Sequence, residues 1–193
     1  MFYECIKVIN NPEAINILVN KSNKLPDNFI PNDLELINAK YTIKPIYLKK
    51  EAKEAFEKLC KDAEKEGYKI LGASGYRSYS YQKQLYYNYI TEKGLEYTDS
   101  CSARPGHSEH QTGLAIDVEG SNGTYDDFLN TKEFAWMKQN AYKYGFILRY
   151  PDGKSHITGF KYEPWHYRYV GISDATKIND LNITYEEYKN DRA

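Results

Sequence analysis

Cysteine is scarce in this chain. Cys5, Cys60 and Cys101 are scattered, odd in number and never in a C-x-x-C pair. That excludes a disulfide framework and offers no thiolate motif for zinc or redox chemistry. Long apolar runs are missing too. Residues 1–7 show no basic region leading into an apolar stretch, and no segment is long and apolar enough to read as a membrane span. The chain therefore reads as soluble and cytoplasmic, with the cell envelope as the alternative if a leader has been removed. Charge of either sign is not in excess: the formal net charge is −1, which gives no electrostatic case for nucleic acid or an anionic membrane as partner. Repeats, low-complexity tracts and an interdomain linker are absent, and 193 residues suit a single domain with its own core. A monomer is expected.

Tyrosine is the one surplus, at 20 residues, and serves cores and surfaces as readily as binding clefts. Residues 1–47, broken by Pro12, Pro31 and Pro45, predict an N-terminal arm packed on a domain formed by 48–193. A helix is predicted over 48–66, where Ala52, Ala55, Phe56, Leu59, Cys60 and Ala63 follow helical spacing and Gly67 closes the pattern. Residues 68–73 predict a strand that delivers Arg77 to the start of a second helix, 79–90, with Gln82, Leu85, Tyr86 and Tyr89 on neighbouring positions. A loop is predicted over 94–105 and a third helix over 131–144, ended by Gly145. Strands 146–150 and 156–160 would form a hairpin about Pro151-Asp152-Gly153. A last strand, 165–170, puts His166 and Arg168 on one face and Trp165, Tyr167 and Tyr169 on the other. Few strands and segregated helices indicate α+β rather than a parallel α/β fold.

The chemistry concentrates in Ser108-Glu109-His110-Gln111-Thr112-Gly113-Leu114-Ala115-Ile116-Asp117. Leu114, Ile116 and Val118 alternate along a strand, leaving Ala115 and Asp117 on the other face. A carboxylate in such a run is costly to bury unless a positive group holds it. A divalent metal would do so, with His110 as a second ligand. Glu163-Pro164-Trp165-His166 supplies a third ligand in His166 and a spare carboxylate in Glu163, which could take a proton from water. Two histidines and a carboxylate match the count for a zinc site with an open position, though a histidine near an acid also arises by chance. A Ser108/His110/Asp117 triad is formally possible, but nothing resembles a nucleophile elbow. His107 is expected at a rim or surface, and His156 on the polar surface of the hairpin.

Taken together, Ser74-Gly75-Tyr76-Arg77-Ser78 with Gln82, the run from Pro105 to Asp117, Tyr144-Gly145-Phe146-Ile147-Leu148-Arg149-Tyr150-Pro151, Ile157-Thr158-Gly159 and Glu163-Pro164-Trp165-His166-Tyr167-Arg168-Tyr169-Val170-Gly171 resemble the VanY-type D-alanyl-D-alanine carboxypeptidases. They are nearly as similar to the VanXY dipeptidase/carboxypeptidases of vancomycin resistance. The resemblance implies a small antiparallel sheet flanked by helices, the core shared with lysostaphin-type and Hedgehog-like zinc domains. It further implies one zinc ion per chain on His110, Asp117 and His166, with Glu163 as catalytic base. By the same resemblance Arg77, Gln82 and Ser108 line the substrate site, Arg77 gripping the terminal carboxylate. Trp165 and Tyr167 flank His166 in sequence and are expected as further walls of the pocket, with core packing the equal alternative. The implied activity is removal of the terminal D-Ala from peptidoglycan stem peptides or precursors ending in D-Ala-D-Ala. Within the same chemistry the alternatives are D-Ala-D-Ala dipeptidase, L,D-carboxypeptidase or endopeptidase activity. From another class comes a cell-wall-binding module without turnover, against which the intact Glu163 argues.

Overall fold

Alternation along residues 114–118 builds the centre of the molecule: Leu114, Ile116 and Val118 are fully or almost fully buried in the principal core. The computed structural model describes residues 2–121 and 123–190. Strands β1 (Lys7–Val8) and β2 (Asn23–Lys24) pair in parallel, and β3 (Leu34–Leu36) pairs antiparallel with β4 (Tyr47–Lys49). Then follow α1 (Lys50–Lys65), β5 (Leu71–Ser74), α2 (Tyr79–Lys93), α3 (Leu95–Cys101) and β6 (Ala115–Glu119). The chain continues through α4 (Lys132–Asn140), β7 (Phe146–Leu148), α5 (Ser155–Thr158), β8 (His166–Tyr169), α6 (Ile172–Leu181) and α7 (Tyr185–Asn190). The main sheet has the order β5-β6-β8-β7 with every pair antiparallel. The α+β class, with a small antiparallel sheet flanked by helices, is as the sequence implies.

One face of this sheet is apolar. Ile116, Val118, Phe146, Tyr167 and Tyr169 share a core with Ala52, Phe56, Leu59, Cys60 and Ala63 of α1, and with Phe134, Trp136 and Met137 of α4. The i, i+3, i+4, i+7 spacing of α1 thus has its physical cause in a single buried stripe. Ile37 and Ile46, which flank the β3–β4 hairpin interior, and Leu48 of β4 lie in that same core. The opposite face carries Asp117, His166 and Arg168, and this face bears the chemistry.

Several elements depart from the sequence reading. The helix predicted from 48 begins at Lys50, because 47–49 is held as a strand by β3. The predicted loop 94–105 contains α3: Gly94 breaks α2 at φ +80°, and a seven-residue helix follows that is too short to display a period. The expected hairpin does not form. Ser155–Thr158 is a single helical turn ended by Gly159, and β7 pairs instead with β8, from Phe146↔Tyr169 to Leu148↔Tyr167. Four residues cannot separate a period of two from one of 3.6. The helix predicted over 131–144 is α up to Asn140 and tightens to 3₁₀ over Ala141–Tyr144.

Candidate metal centre and cleft

Cross-strand register assembles the site. Asp117 on β6 sits opposite His166 on β8 and, on its other side, opposite Ser74 of β5. Their side chains share a face because strand positions alternate. His110 arrives from the 3₁₀ turn Glu109–Thr112, capped by the Ser108 hydroxyl, which accepts from the His110 N–H at 3.3 Å. Gly113 closes that turn at φ +68°, a left-handed conformation that L side chains rarely adopt. A Cβ there would lie 2.8 Å from Leu34 Cδ2. One donor atom from each of His110, Asp117 and His166 lies within 4.8 Å of the others. His110 Nε2 is 3.3 Å from Asp117 Oδ2, and His166 Nδ1 is 2.9 Å from Asp117 Oδ1.

The protonation of His110 and Asp117 suits a cation, while His166 carries a proton that a cation would displace. His110 Nδ1 donates to the Gly75 carbonyl at 2.7 Å, which leaves Nε2 buried, without a hydrogen-bond partner, and facing the carboxylate. Gly75 itself lies hard against β4 and its approach, where a Cβ would stand 2.3 Å from Ile46 Cγ2 and 2.7 Å from the Tyr47 carbonyl oxygen. Burial, with Arg77 nearby, pushes the His110 pKa down to about 4, so the ring is neutral and its lone pair free. Burial alone would raise Asp117, but His110 and His166 hold it well below the usual carboxylate range. Burial opposes charge on His166 as well, yet Asp117 and Glu109 lift it to about 9. Two imidazoles and a carboxylate, one carrying an orphaned buried lone pair, fit the donor set of a zinc ion. His110, Asp117 and His166 would hold it.

The three residues open on a cleft of about 140 Å³ whose walls include Arg77, Gln82, Ser108, Glu163, Trp165 and Tyr150. Glu163 follows from the turn before β8, with its N–H on the Tyr150 carbonyl, and Oε2 stands 3.9 Å from His166 Nδ1. Burial raises its carboxyl to about 7 against the pull of His166, near neutrality, where a carboxyl can both take and return a proton. Arg77 is held by its backbone N–H on the His110 carbonyl, Nη2 lies 3.7 Å from Asp117, and the buried Nε has no partner. Gln82 is 1 % exposed; its amide donates to the Ala103 carbonyl and Ser102 Oγ, while Oε1 is left without a partner.

Tyr167 departs from the sequence expectation of a cleft wall. Strand alternation turns it to the core face, fully buried and away from the cleft that His166 lines. His107 is likewise not at the surface: the N-terminal segment covers it, with Nδ1 2.8 Å from the Asn20 carbonyl and Tyr3 edge-on to the ring. His156 is exposed as expected, on α5 rather than on a hairpin. Four buried charges escaped the sequence reading. Glu109 Oε1 accepts from Arg149 Nε at 2.7 Å and Arg168 Nη1 at 2.9 Å, and Arg149 makes a bidentate pair with Glu186 at 2.8 and 2.6 Å. Burial alone would raise the Glu109 carboxyl, but the two guanidinium groups hold it far below the usual range. The alternation that places Arg168 on the His166 face was the one available signal.

Residues 45–172 match the family profile described as VanY, D-alanyl-D-alanine carboxypeptidase. YodJ of Bacillus subtilis (strain 168), a carboxypeptidase by name, is 45% identical over 190 residues, 95% of this chain and 70% of that protein. Among solved structures, the LdcB LD-carboxypeptidase superposes with a TM-score of 0.90 at 42% identity, covering 97% of this chain and 91% of that one. A variant of the vancomycin resistance D,D-pentapeptidase VanY, from a VanB-type cassette and in complex with Zn(II), gives 0.75 at 34% identity over 90% and 98%.

Proposed function

The chain belongs to the VanY family of D-alanyl-D-alanine carboxypeptidases, and from that premise we propose that it is a zinc-dependent carboxypeptidase releasing the terminal D-alanine of a peptidoglycan stem peptide or precursor. The observation that carries this reading is the convergence of the His110/Asp117/His166 cluster, the raised Glu163 carboxyl and Arg77 on one cleft. A zinc ion bound by the three ligands supplies Lewis acidity toward a carbonyl oxygen and acidifies water.

The remaining work falls to the protein's own groups. Glu163 accepts the proton of the attacking water on its carboxylate and returns it to the leaving amine nitrogen of D-alanine. A positioned base of this kind is worth about 10²–10⁴-fold. Arg77 offers a planar fork to a free C-terminal carboxylate, the feature an exopeptidase must recognise. Gln82 Oε1, buried and unpartnered, accepts an N–H of the bound peptide, and the Ser108 hydroxyl and the Trp165 ring bound the same pocket.

The family description favours a D-Ala-D-Ala end. A second reading, cleavage of an L,D bond before a terminal D-alanine, draws on the LdcB likeness, with its TM-score of 0.90 against 0.75 for the D,D-pentapeptidase. The deciding assay is D-alanine release from a pentapeptide ending in D-Ala-D-Ala, from the tetrapeptide ending in an L,D-linked D-alanine, and from the free D-Ala-D-Ala dipeptide, each with and without chelator. Chelator-sensitive release from the pentapeptide supports the D,D reading, and release confined to the tetrapeptide selects the L,D reading. Release from the dipeptide as well would add a dipeptidase activity. No release from any of the three by zinc-loaded protein would refute a carboxypeptidase altogether. Among the described residues no helix is long and apolar enough to cross a membrane.

A further inference from the structure

Behind the cleft lies a buried quartet of charges, and nothing in the proposed chemistry explains why the fold retains it. The side chains of Glu109, Arg149 and Arg168 are 0 % exposed, and that of Glu186 only 8 %. Burying such a set confers little net stability, since a well-packed apolar replacement is commonly as good or better. What the quartet does produce is one immobile oxygen. Both arginines occupy Glu109 Oε1, which leaves Oε2 facing His166 Nε2 at 3.4 Å. With Nε2–H committed to that oxygen, the proton that a cation displaces is the one on Nδ1, the atom that faces Asp117, and the His166 lone pair is freed there. The Tyr150 ring, 4.9 Å away and tilted by 31°, fixes the imidazole plane.

The outer member closes the charge count. Two arginines against Glu109 and Glu186 leave the quartet neutral; without Glu186 it would carry one positive charge beside a site that must accept a dication. Glu186 stands on α7, outside the residues 45–172 matched by the family profile. We propose that Glu109 is a positioning residue for His166, and that Glu186 acts through Arg149 on the same histidine, so that metal affinity depends on a helix beyond the matched span. This rests on the reading of His166 as a metal ligand.

The test is zinc affinity, measured by chelator competition on the metal-stripped full chain, well below the melting temperature of each variant. Glu186→Gln and Glu109→Gln should each weaken zinc binding about 10–100-fold, and Glu186→Asp should recover part of that loss because it restores the charge. A dissociation constant for folded Glu186→Gln within about twofold of the parent would reduce the quartet to scaffolding and overturn the proposal. Should the variants fail to fold, ¹⁵N-histidine spectra of the unaltered zinc-loaded protein decide: metal on Nδ1 and a proton on Nε2 of His166 support it, and the reverse arrangement overturns it. Failure of the parent to bind zinc at all would instead refute the metal reading itself, which separates the two outcomes.

Discussion

His110 and His166 lie in ring contact, centroids 4.9 Å apart, yet their environments drive them in opposite directions. Burial and Arg77 strip the proton from His110, whereas Asp117 and Glu109 keep one on His166 up to about pH 9. In the metal-free protein this raised pKa contributes stability that is fully present below the unfolded value of about 6.5 and is lost as pH rises through about 9. A cation must displace that proton. Zinc affinity should therefore tighten by about tenfold per pH unit between roughly pH 7 and 9 and level off above, as one displaced proton requires. Isothermal titration in buffers of differing ionisation enthalpy would count the proton; release of none would refute the assignment of His166. Glu163→Gln removes the proposed base without touching the donor cluster. It should retain zinc stoichiometry and lose about 10²–10⁴-fold in kcat, while His166→Ala should lose metal and turnover together. Equal turnover in Glu163→Gln would end its role as base.

Among the elements, Gly113 carries geometry that no other residue can supply as cheaply. Gly113→Ala must hold φ near +68° while its Cβ presses on Leu34 and Lys49. A loss of about 1–3 kcal/mol is expected from strain at such a position, read as a lowered urea midpoint at unchanged m-value. The elements also show what the sequence could and could not disclose. The alternation of Leu114, Ile116 and Val118, and of Tyr167 and Tyr169, was readable because one sheet face is apolar and the other is not. The same rule turns Tyr167 away from the cleft and into the core, so its position next to His166 in sequence does not make it a pocket wall. Residues 95–101 and 155–158 were not readable, being helices too short to show a period. Partners distant in sequence were out of reach too: nothing local in Glu109 or Glu186 announces that Arg149 joins them. Residue chemistry brought His110, Asp117 and His166 to notice, the family resemblance implied their role as ligands, and register explains why Asp117 and His166 meet.

At the scale of the whole molecule, three ligands from separate elements imply that metal binding and folding are linked. Zinc at about a thousandfold above its dissociation constant should add about 4 kcal/mol to stability, on the order of 10 °C in Tm for a chain of this size. Differential scanning calorimetry with and without chelator measures it, and coincident melting curves would mean no such ion binds the folded state. Arg168 extends the linkage to the N-terminal segment, since its Nη2 donates to the carbonyls of Ile15 and Ile17 at 2.9 Å, while Arg149 reaches α7. That convergence has a consequence in time. During synthesis His110 and Asp117 leave the ribosome well before His166, and Glu186 follows later still. A nascent chain thus exposes an incomplete donor set for much of its elongation and closes its grip only once α7 has docked. Completion of the donor set then waits on synthesis of His166, and its full support on Glu186, so the ion is held last by the residues made last.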